Sequence, residues 1–224
     1  MERLRLSDSA FSFRPISSLA LGNGFHCGFL GLLHAEIVQE RLLREFDMTT
    51  LATTPSVEYL VTTAGVETSI QSATEFPGPS LVIQTKEPIM RVTVFGPKRF
   101  VGAIMQLCQE KRGEQSNMVY HGDTVEIEYL LPLSEMIIDF FDRLKSITEG
   151  YATLDYEFLD YSPVEVVKVD ILVNYEKVDA FSFLTVVRTV DRRAREIVER
   201  LAGAIPRQQF EIPIQAAIGG KVIA

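Results

Sequence analysis

The sequence predicts an α+β fold made of small sandwiches in tandem, and three observations support this class. A chain of 224 residues has room for one large domain or for two to three small ones. Apolar residues make up 46% of it and charged residues 23%, which is typical of folded globular proteins and excludes a disordered or collagen-like chain. Strand-like and helix-like patterns alternate along the chain, with turn residues between them.

Residues 1–86 show this alternation but hold fewer strands than a closed sandwich requires. MERLRLSD is typical of the end of a helix, and AFSFRP and GNGFHCGF predict two short strands. A long helix is predicted from about Leu30 to Phe46, because Ala35, Val38 and Leu42 repeat on one side of it. TTPSVEYLVTT predicts a further strand, and the stretch EFPGPS predicts a linker. We therefore expect the chain to begin inside a domain.

Residues 87–163 carry the clearest pattern. PIMRVTVF alternates as a strand does, and a helix follows in which Pro97 occupies the first turn and Gly113 the end. SNMVYHG and TVEIEYLLP predict two strands joined by a tight polar turn. A second helix, with Ser134 as its N-cap and Gly150 as its stop, precedes the strand YATLDYEFLDY. The order βαββαβ predicts a ferredoxin-like sandwich, a four-stranded antiparallel sheet with both helices on one face.

Residues 164–224 predict two strands, a helix and an extended end. VVKVDILVNYEKVDAFSFLTVV supplies the strands, and the helix begins at Asp191. The apolar side of this helix consists of Ala194, Ile197, Val198, Leu201 and Ile205. The last segment, QQFEIPIQAAIGGKVIA, is mostly extended and stops inside an apolar strand. We therefore expect the chain to be part of a longer protein.

The charge distribution indicates where a nucleic acid would bind. A net charge of −8 argues against a polyanion-binding surface that covers the whole molecule. The acidic excess is absent from residues 164–224, which hold 9 basic and 8 acidic side chains and a cluster of arginines. A contact with nucleic acid is expected there first. The spacing also allows a second interpretation, in which Arg192 pairs with Glu196 and Arg195 with Glu199 on a solvated helix face.

No motif nominates a catalytic, cofactor-binding or metal-ligating residue. The phosphate-binding pattern GxxxxGK[ST] does not occur, and the glycines of GNGFHCGFLG depart by one residue from GxGxxG. Close packing therefore explains these glycines as well as an anion does. His26, Cys27 and His34 are near neighbours in sequence but lack the spacing of a zinc site. The candidate carboxylates for acid–base chemistry carry no special signal in the sequence, and they are Asp139, Asp142 and Asp155.

Cysteine usage and hydropathy indicate the compartment. Two cysteines, Cys27 and Cys108, cannot build a disulfide framework, and their context suggests small buried side chains in a reducing environment. No apolar run approaches 18 residues, so the sequence predicts no membrane-spanning helix. The N-terminal residues mix charged and apolar side chains and show no signal-peptide core. The cytoplasm is the expected location.

Four stretches of the sequence carry a family resemblance. They are GNGFHCGFLGLLHAEIVQERLLREF, LCQEKRGEQSNMVYHG, FFDRLKSITEGYATLDYEF and IPRQQFEIPIQAAIGGKVIA. Together they resemble the elongation factor 4 (LepA) family of translational GTPases over essentially the whole chain. The last two stretches are specific to that family, whereas the first is shared in looser form with elongation factor G. His26 departs from the pattern, since arginine is usual at this position, and no anion contact is assigned to it.

The resemblance implies four segments along the chain. Residues 1–80 resemble the ferredoxin-like domain III of elongation factor G without its beginning, and residues 81–86 are a linker. Residues 87–163 resemble domain V, which is also ferredoxin-like. Residues 164–224 resemble the start of the α+β C-terminal domain that is specific to the family.

The resemblance also implies a function. The full-length protein is expected to bind tRNA and the ribosome, the latter through ribosomal RNA and ribosomal proteins. It is also expected to promote back-translocation of tRNAs as a translation fidelity factor. GTP and Mg²⁺ belong to a GTPase domain outside this chain, so we expect no cofactor and no catalysis here. A cytoplasmic, ribosome-associated monomer is implied, with a peripheral pool at the inner membrane left open. The candidate RNA contacts are basic side chains: Arg192, Arg193, Arg195, Arg207, Lys221, Lys98, Arg99, Lys111 and Arg112.

Three alternatives stay open at this point. Another translational GTPase such as elongation factor G would explain part of the resemblance, but the IPRQQF stretch disfavours it. A ferredoxin-like regulatory module would bind a small ligand in a pocket between paired sheets and would gain stability from that ligand. A cytosolic enzyme would require a group of residues with shifted pKa values that the sequence does not show.

Overall fold

The computed structural model describes residues 1–18, 22–50, 52, 57–137, 139–205 and 212–224. Its six helices are α1 (Glu2–Ser7), α2 (Leu32–Phe46), α3 (Val101–Glu110), α4 (Leu133–Met136), α5 (Phe140–Ile147) and α6 (Val190–Ala204). Its strands are β1 (Ser12–Ser18), β2 (Gly22–Gly28), β3 (Tyr59–Thr63), β4 (Val66–Ile70), β5 (Val82–Pro97), β6 (Glu114–His121), β7 (Thr124–Pro132), β8 (Thr153–Pro163), β9 (Val166–Val173), β10 (Glu176–Lys177), β11 (Phe183–Val186), β12 (Ile214–Ile218) and β13 (Lys221–Val222). These counts refer to the described residues. The class is α+β, as predicted.

The chain divides into two compact units, and Pro55–Val166 contains the ferredoxin-like sandwich. Strand β5 lies between β7 and β8, and β6 pairs with the other edge of β7, all antiparallel. This is the strand order that the connectivity βαββαβ requires. Alternate residues such as Val92 and Val94 of β5 and Ile127 of β7 are fully buried against Ile104 of α3 and Phe140 of α5. The sandwich predicted for residues 87–163 is confirmed.

Strand β5 is longer than predicted and extends the sheet. Its first residues pair with β3, with Leu60 opposite Lys86, and β3 pairs in turn with β4. Residues 82–86 were predicted as a linker but belong to this strand. The Pro- and Gly-containing stretch before them forms short 3-10 turns, the last of which ends at Leu81. Strand β3, predicted as part of the N-terminal module, belongs by its pairing with β4 and β5 to the unit Pro55–Val166.

The predicted second helix of the sandwich is divided into α4 and α5. Helix α4 begins directly after Pro132, so Ser134 lies inside it and is not an N-cap. The Ser134 hydroxyl is buried and donates a hydrogen bond to Glu87 Oε2 at 3.2 Å. Helix α3 also begins later than predicted, at Val101, after a 3-10 turn that follows Pro97.

The N-terminal segment of the other unit consists of α1, the antiparallel hairpin β1–β2 and α2. Leu4, Phe11, Val38 and Leu42 form its buried core, so the apolar side predicted for the long helix is correct at its centre. Gly28 faces Ser12 across the hairpin, and a Cβ at Gly28 would lie 2.4 Å from the Ser12 Oγ. Close packing of two strands is therefore sufficient to explain this glycine.

The C-terminal segment, Val167–Ala224, has its own sheet and core. Strand β9 pairs with β10, β11 and β12, and β12 pairs with β13. Helix α6 packs on this sheet through Val190 and Ala194, which contact a core that includes Val169, Ile171 and Ala216. The predicted two strands and one helix are present, and the helix begins one residue before the predicted Asp191.

Candidate nucleic-acid interface

Helix α6 has an exposed face of arginines. Burial of Val190 and Ala194 fixes the rotation of the helix about its axis, since these residues must face the sheet. Arg192 and Arg195 consequently point to solvent, and Arg193 is half-buried. The predicted cluster is therefore a surface feature of the C-terminal segment.

One of the two ion pairs predicted on this face is present among the described residues. Arg192 Nη1 lies 3.7 Å from Glu196 Oε1, and both side chains are more than half exposed. Exposed i,i+4 pairs of this kind contribute about 0.3–0.5 kcal/mol. Within the described part of the chain, neither Arg193 nor Arg195 forms an ion pair. The solvated-pair interpretation therefore explains Arg192 and leaves two guanidinium groups available to phosphates.

Two further candidates belong to the same segment. Lys221 is exposed and lies on β13, where it is paired with Ile218 of β12. Arg207 lies outside the described residues, within the gap 206–211. Lys221 therefore extends the list of exposed cations, and Arg207 stays a prediction from sequence.

Lys98 and Arg99 lie in the 3-10 turn that ends β5. Both are exposed, and each has one acidic neighbour: Lys98 Nζ is 3.3 Å from Asp123 Oδ1, and Arg99 Nη2 is 3.4 Å from Glu149 Oε2. The Arg99 guanidinium also lies over the ring of Phe100, at 4.6 Å from its centroid. These two cations are accessible to a ligand.

Lys111 and Arg112 have a different role. Lys111 Nζ forms an ion pair with Asp139, and its side chain is only 13% exposed. Arg112 donates two hydrogen bonds to Glu87, at 2.7 and 2.9 Å, and one to Glu135 at 3.0 Å. Burial lowers the pKa of Arg112, but the bonds to Glu87 and the charge of Glu135 outweigh it and raise the pKa. These two cations stabilise the sandwich, and we remove them from the proposed interface.

The histidines and cysteines predicted as near neighbours have separate partners. Arg14 Nε donates to His26 Nδ1 at 3.2 Å, whereas His34 Nδ1 accepts the backbone N–H of Leu30 at 3.1 Å. The other ring nitrogen of His34 therefore carries the proton and donates to Asp8 at 2.7 Å. Burial raises the pKa of the Cys27 thiol, and it raises that of Cys108 to about 12. Neither thiol is therefore an activated nucleophile.

The Asp8–His34 contact predicts a pH effect on stability. The hydrogen bond from His34 lowers the pKa of Asp8 below its usual 3.8. Because the pKa of Asp8 is lower in the folded state than in the unfolded state, the contact stabilises the protein above the unfolded-state pKa. This contribution is lost as pH falls through the folded-state pKa. Between about pH 5 and pH 3, the urea midpoint should fall less in Asp8→Asn than in the 224-residue chain without a substitution, which we call the parent chain. Asp47→Asn, at an exposed position, is the control, and equal losses in all three proteins would contradict the prediction.

Comparison with known proteins identifies the family. Residues 84–172 match the family model described as elongation factor G C-terminus, and residues 173–224 match that described as GTP-binding protein LepA C-terminus. The whole chain is 50% identical to elongation factor 4 of Limosilactobacillus fermentum (strain NBRC 3956 / LMG 18251). It is 51% identical to elongation factor 4 of Limosilactobacillus reuteri (strain DSM 20016). The chain belongs to the elongation factor 4 family. It spans 37% of the length of these relatives, and the two family models that it matches describe C-terminal regions.

Family membership confirms the resemblance and narrows the alternatives. The match of residues 173–224 to the LepA C-terminus favours elongation factor 4 over elongation factor G. Helix α6 and Lys221 lie in the segment that carries this match, whereas Lys98 and Arg99 lie in the segment that matches elongation factor G. Among the helices formed by the described residues, none has the length and apolar content to cross a bilayer.

Two groups of residues were missed in the sequence. The first is the buried pair Glu87 and Glu135, for which a charged residue beside a strand or helix boundary is the only local signal. The second is Tyr151, whose ring lies near the Arg99 guanidinium. An aromatic residue directly after the helix-ending Gly150 was its signal in the sequence.

Proposed function

We propose that this chain is the ribosome- and tRNA-contacting region of a translational GTPase and that it catalyses no reaction itself. Its family membership supports the class of partner, since the matched relatives are elongation factors. The observation that carries the proposal is that Arg193 and Arg195 of α6 form no ion pair among the described residues. Unpaired guanidinium groups on a helix surface suit phosphate contacts, because they donate in a planar fork.

The proposed RNA contacts are basic side chains in two segments, and each segment is considered by itself. Arginine and lysine contacts to phosphate set affinity and position without reading sequence, which suits a folded ribosomal RNA. Lys111 and Arg112 are excluded because their side chains are only 13% and 19% exposed and are paired with acidic side chains. The remaining candidates are Arg192, Arg193, Arg195, Arg207, Lys221, Lys98 and Arg99.

In the longer protein this region would act as an adaptor of fixed local shape. GTP and Mg²⁺ would bind the GTPase domain of the full-length protein. Hydrolysis of GTP there would determine when the protein binds the ribosome and when it leaves. The present region would favour one arrangement of the tRNAs on the ribosome, because a ligand shifts an equilibrium only through contacts that differ between its states. The proposal also includes back-translocation of tRNAs and a cytoplasmic, ribosome-associated location, both of which the family resemblance implies.

Cosedimentation with ribosomes over a salt series tests the proposal. The triple variant Arg192→Ala, Arg193→Ala and Arg195→Ala should bind about tenfold more weakly at low salt. The slope of log affinity against log salt should also decrease by about 2–3, because each lost phosphate contact releases about one counterion fewer. Circular dichroism should show the same helix content as in the parent chain, since none of these side chains belongs to the core.

A matched control removes three other arginines. Arg3→Ala, Arg5→Ala and Arg44→Ala together change the net charge equally, at exposed positions of α1 and α2. This variant should retain the salt slope of the parent chain. Equal weakening of both triple variants would show that only net charge matters and would contradict the interface on α6. No binding of the parent chain to ribosomes at low salt would contradict the proposal as a whole.

A further inference from the structure

Two aromatic rings and a guanidinium form a stack at one end of the ferredoxin-like sheet, where β5 ends and β8 begins. The rings of Phe100 and Tyr151 are nearly parallel, with an interplanar angle of 17° and centroids 6.5 Å apart. The Arg99 guanidinium lies 4.6 Å from the Phe100 centroid and 5.2 Å from the Tyr151 centroid. Tyr151 is 62% exposed, so a large part of its surface contacts only solvent. We call Arg99, Phe100 and Tyr151 the stacking platform.

The backbone that carries Tyr151 is held in place by the end of α5. Glu149 and Gly150 both have left-handed conformations, with φ of 54° and 80°, which turn the chain out of the helix. The Tyr151 N–H donates to Thr148 O at 2.9 Å, and the buried Thr148 hydroxyl donates to Leu144 O at 2.7 Å. The ring is therefore attached to a turn whose backbone is held by hydrogen bonds.

The sandwich does not need an exposed tyrosine at this position. The core of the unit is complete without it, since Tyr151 belongs neither to the buried residues nor to those packed against them, while Phe100 is only partly buried. A flat exposed ring beside a guanidinium is the arrangement that proteins use to stack unpaired nucleobases. We propose that the stacking platform binds the face of an unpaired RNA base, with Lys98 near the adjoining phosphate. The choice of RNA as the partner rests on the proposed function.

The charges around the stacking platform indicate which property of RNA it detects. Asp123 lies 3.3 Å from Lys98, and Glu149 lies 3.4 Å from Arg99, so the local positive charge is balanced. Stacking therefore contributes more to binding here than charge does. Base faces are covered in a duplex and accessible in loops, bulges and single strands. The platform should thus prefer single-stranded RNA over duplex RNA.

A single-tryptophan reporter tests this inference, because the chain contains no tryptophan. In Tyr151→Trp, stacking of a base on the indole should quench its fluorescence in a saturable manner when an oligoadenylate of about ten nucleotides is added. A duplex RNA of the same length should cause little quenching. Tyr175→Trp is the matched control, since Tyr175 is 71% exposed and belongs to a turn after β9. It should show no saturable quenching.

Further variants separate stacking from other contacts. Measured by fluorescence anisotropy of the labelled oligoadenylate, Tyr151→Leu should bind about tenfold more weakly, whereas Tyr151→Phe should bind as the parent chain does. Glu149→Gln should bind more tightly, because it frees the Arg99 guanidinium. Absence of saturable quenching in Tyr151→Trp, equal quenching by duplex RNA, or equal affinity of Tyr151→Leu and the parent chain would overturn the inference. Because these assays contain no ribosomes, a failure of ribosome binding alone would overturn the proposed function and leave the stacking platform standing.

Discussion

Replacing Arg112 with methionine should lower the free energy of unfolding by about 3–5 kcal/mol, one of the two largest effects expected for this chain. Arg112 holds two carboxylates whose side chains are only 4% and 5% exposed, those of Glu87 and Glu135. Methionine fills a similar volume but cannot donate a hydrogen bond. Both carboxylates would then stay in the protein interior without their cation, and the desolvation of an unpaired charge is costly.

The geometry of this cluster excludes a backbone explanation for the expected loss. Arg112 has a left-handed conformation, with φ of 59°, two residues after the end of α3. Because methionine and arginine both carry a Cβ, the conformational strain at this position is the same before and after the substitution. The neighbouring Gly113 retains its close approach, in which a Cβ would lie 2.8 Å from Cys108 O. The loss therefore measures the buried charges.

Urea denaturation of the two proteins gives the measurement, and Arg143→Met is the matched control. Arg143 pairs with Glu110 at 2.6 Å, but both side chains are more than 40% exposed, and exposed pairs contribute about 0–1 kcal/mol. Losses of equal size in Arg112→Met and Arg143→Met would contradict the argument from burial. A loss of less than about 1 kcal/mol in Arg112→Met would show that water reaches the two carboxylates.

The sequence predicted the sandwich because its elements are local and strongly periodic. Alternation in PIMRVTVF and the spacing of Ile104, Leu107 and Cys108 determine which side of each element is buried. It did not predict that β5 starts at Val82, because a long strand needs a partner, and that partner is β3, about 20 residues earlier in the chain. Pairing between distant segments overrides a local turn signal.

The same limit applies to the candidate interface. The exposure of Arg192 and Arg195 was predictable, since it follows from the helical period and from burial of Ala194. Lys111 and Arg112 have equally suggestive sequence surroundings, but Glu87 and Glu135, the partners of Arg112, are 25 and 23 residues away. Whether a cation faces solvent or a buried carboxylate is decided by tertiary packing. Spacing along the chain contains no information about it.

The second large effect is expected for Phe140→Ala. Phe140 is fully buried at the start of α5 and packs in one cluster with Met136 of α4 and Leu144 of α5. Removing its ring should lower the free energy of unfolding by about 3–5 kcal/mol, because both the transfer of the ring from water and its packing are lost. Helices α4 and α5 are short, at 4 and 8 residues, and such helices depend on tertiary contacts for their stability.

Phe158→Ala is the matched control for this prediction, since Phe158 lies on β8 with 54% of its surface exposed. Its replacement should cost less than about 1 kcal/mol, because less apolar surface is returned to water. Thermal unfolding of the three proteins, followed by circular dichroism, gives the comparison. Helix α5 also ends in the turn that presents Tyr151, so Phe140→Ala should increase hydrogen exchange at the Thr148 and Tyr151 amides. Protection of these amides equal to that in the parent chain would show that the turn is held independently of the core.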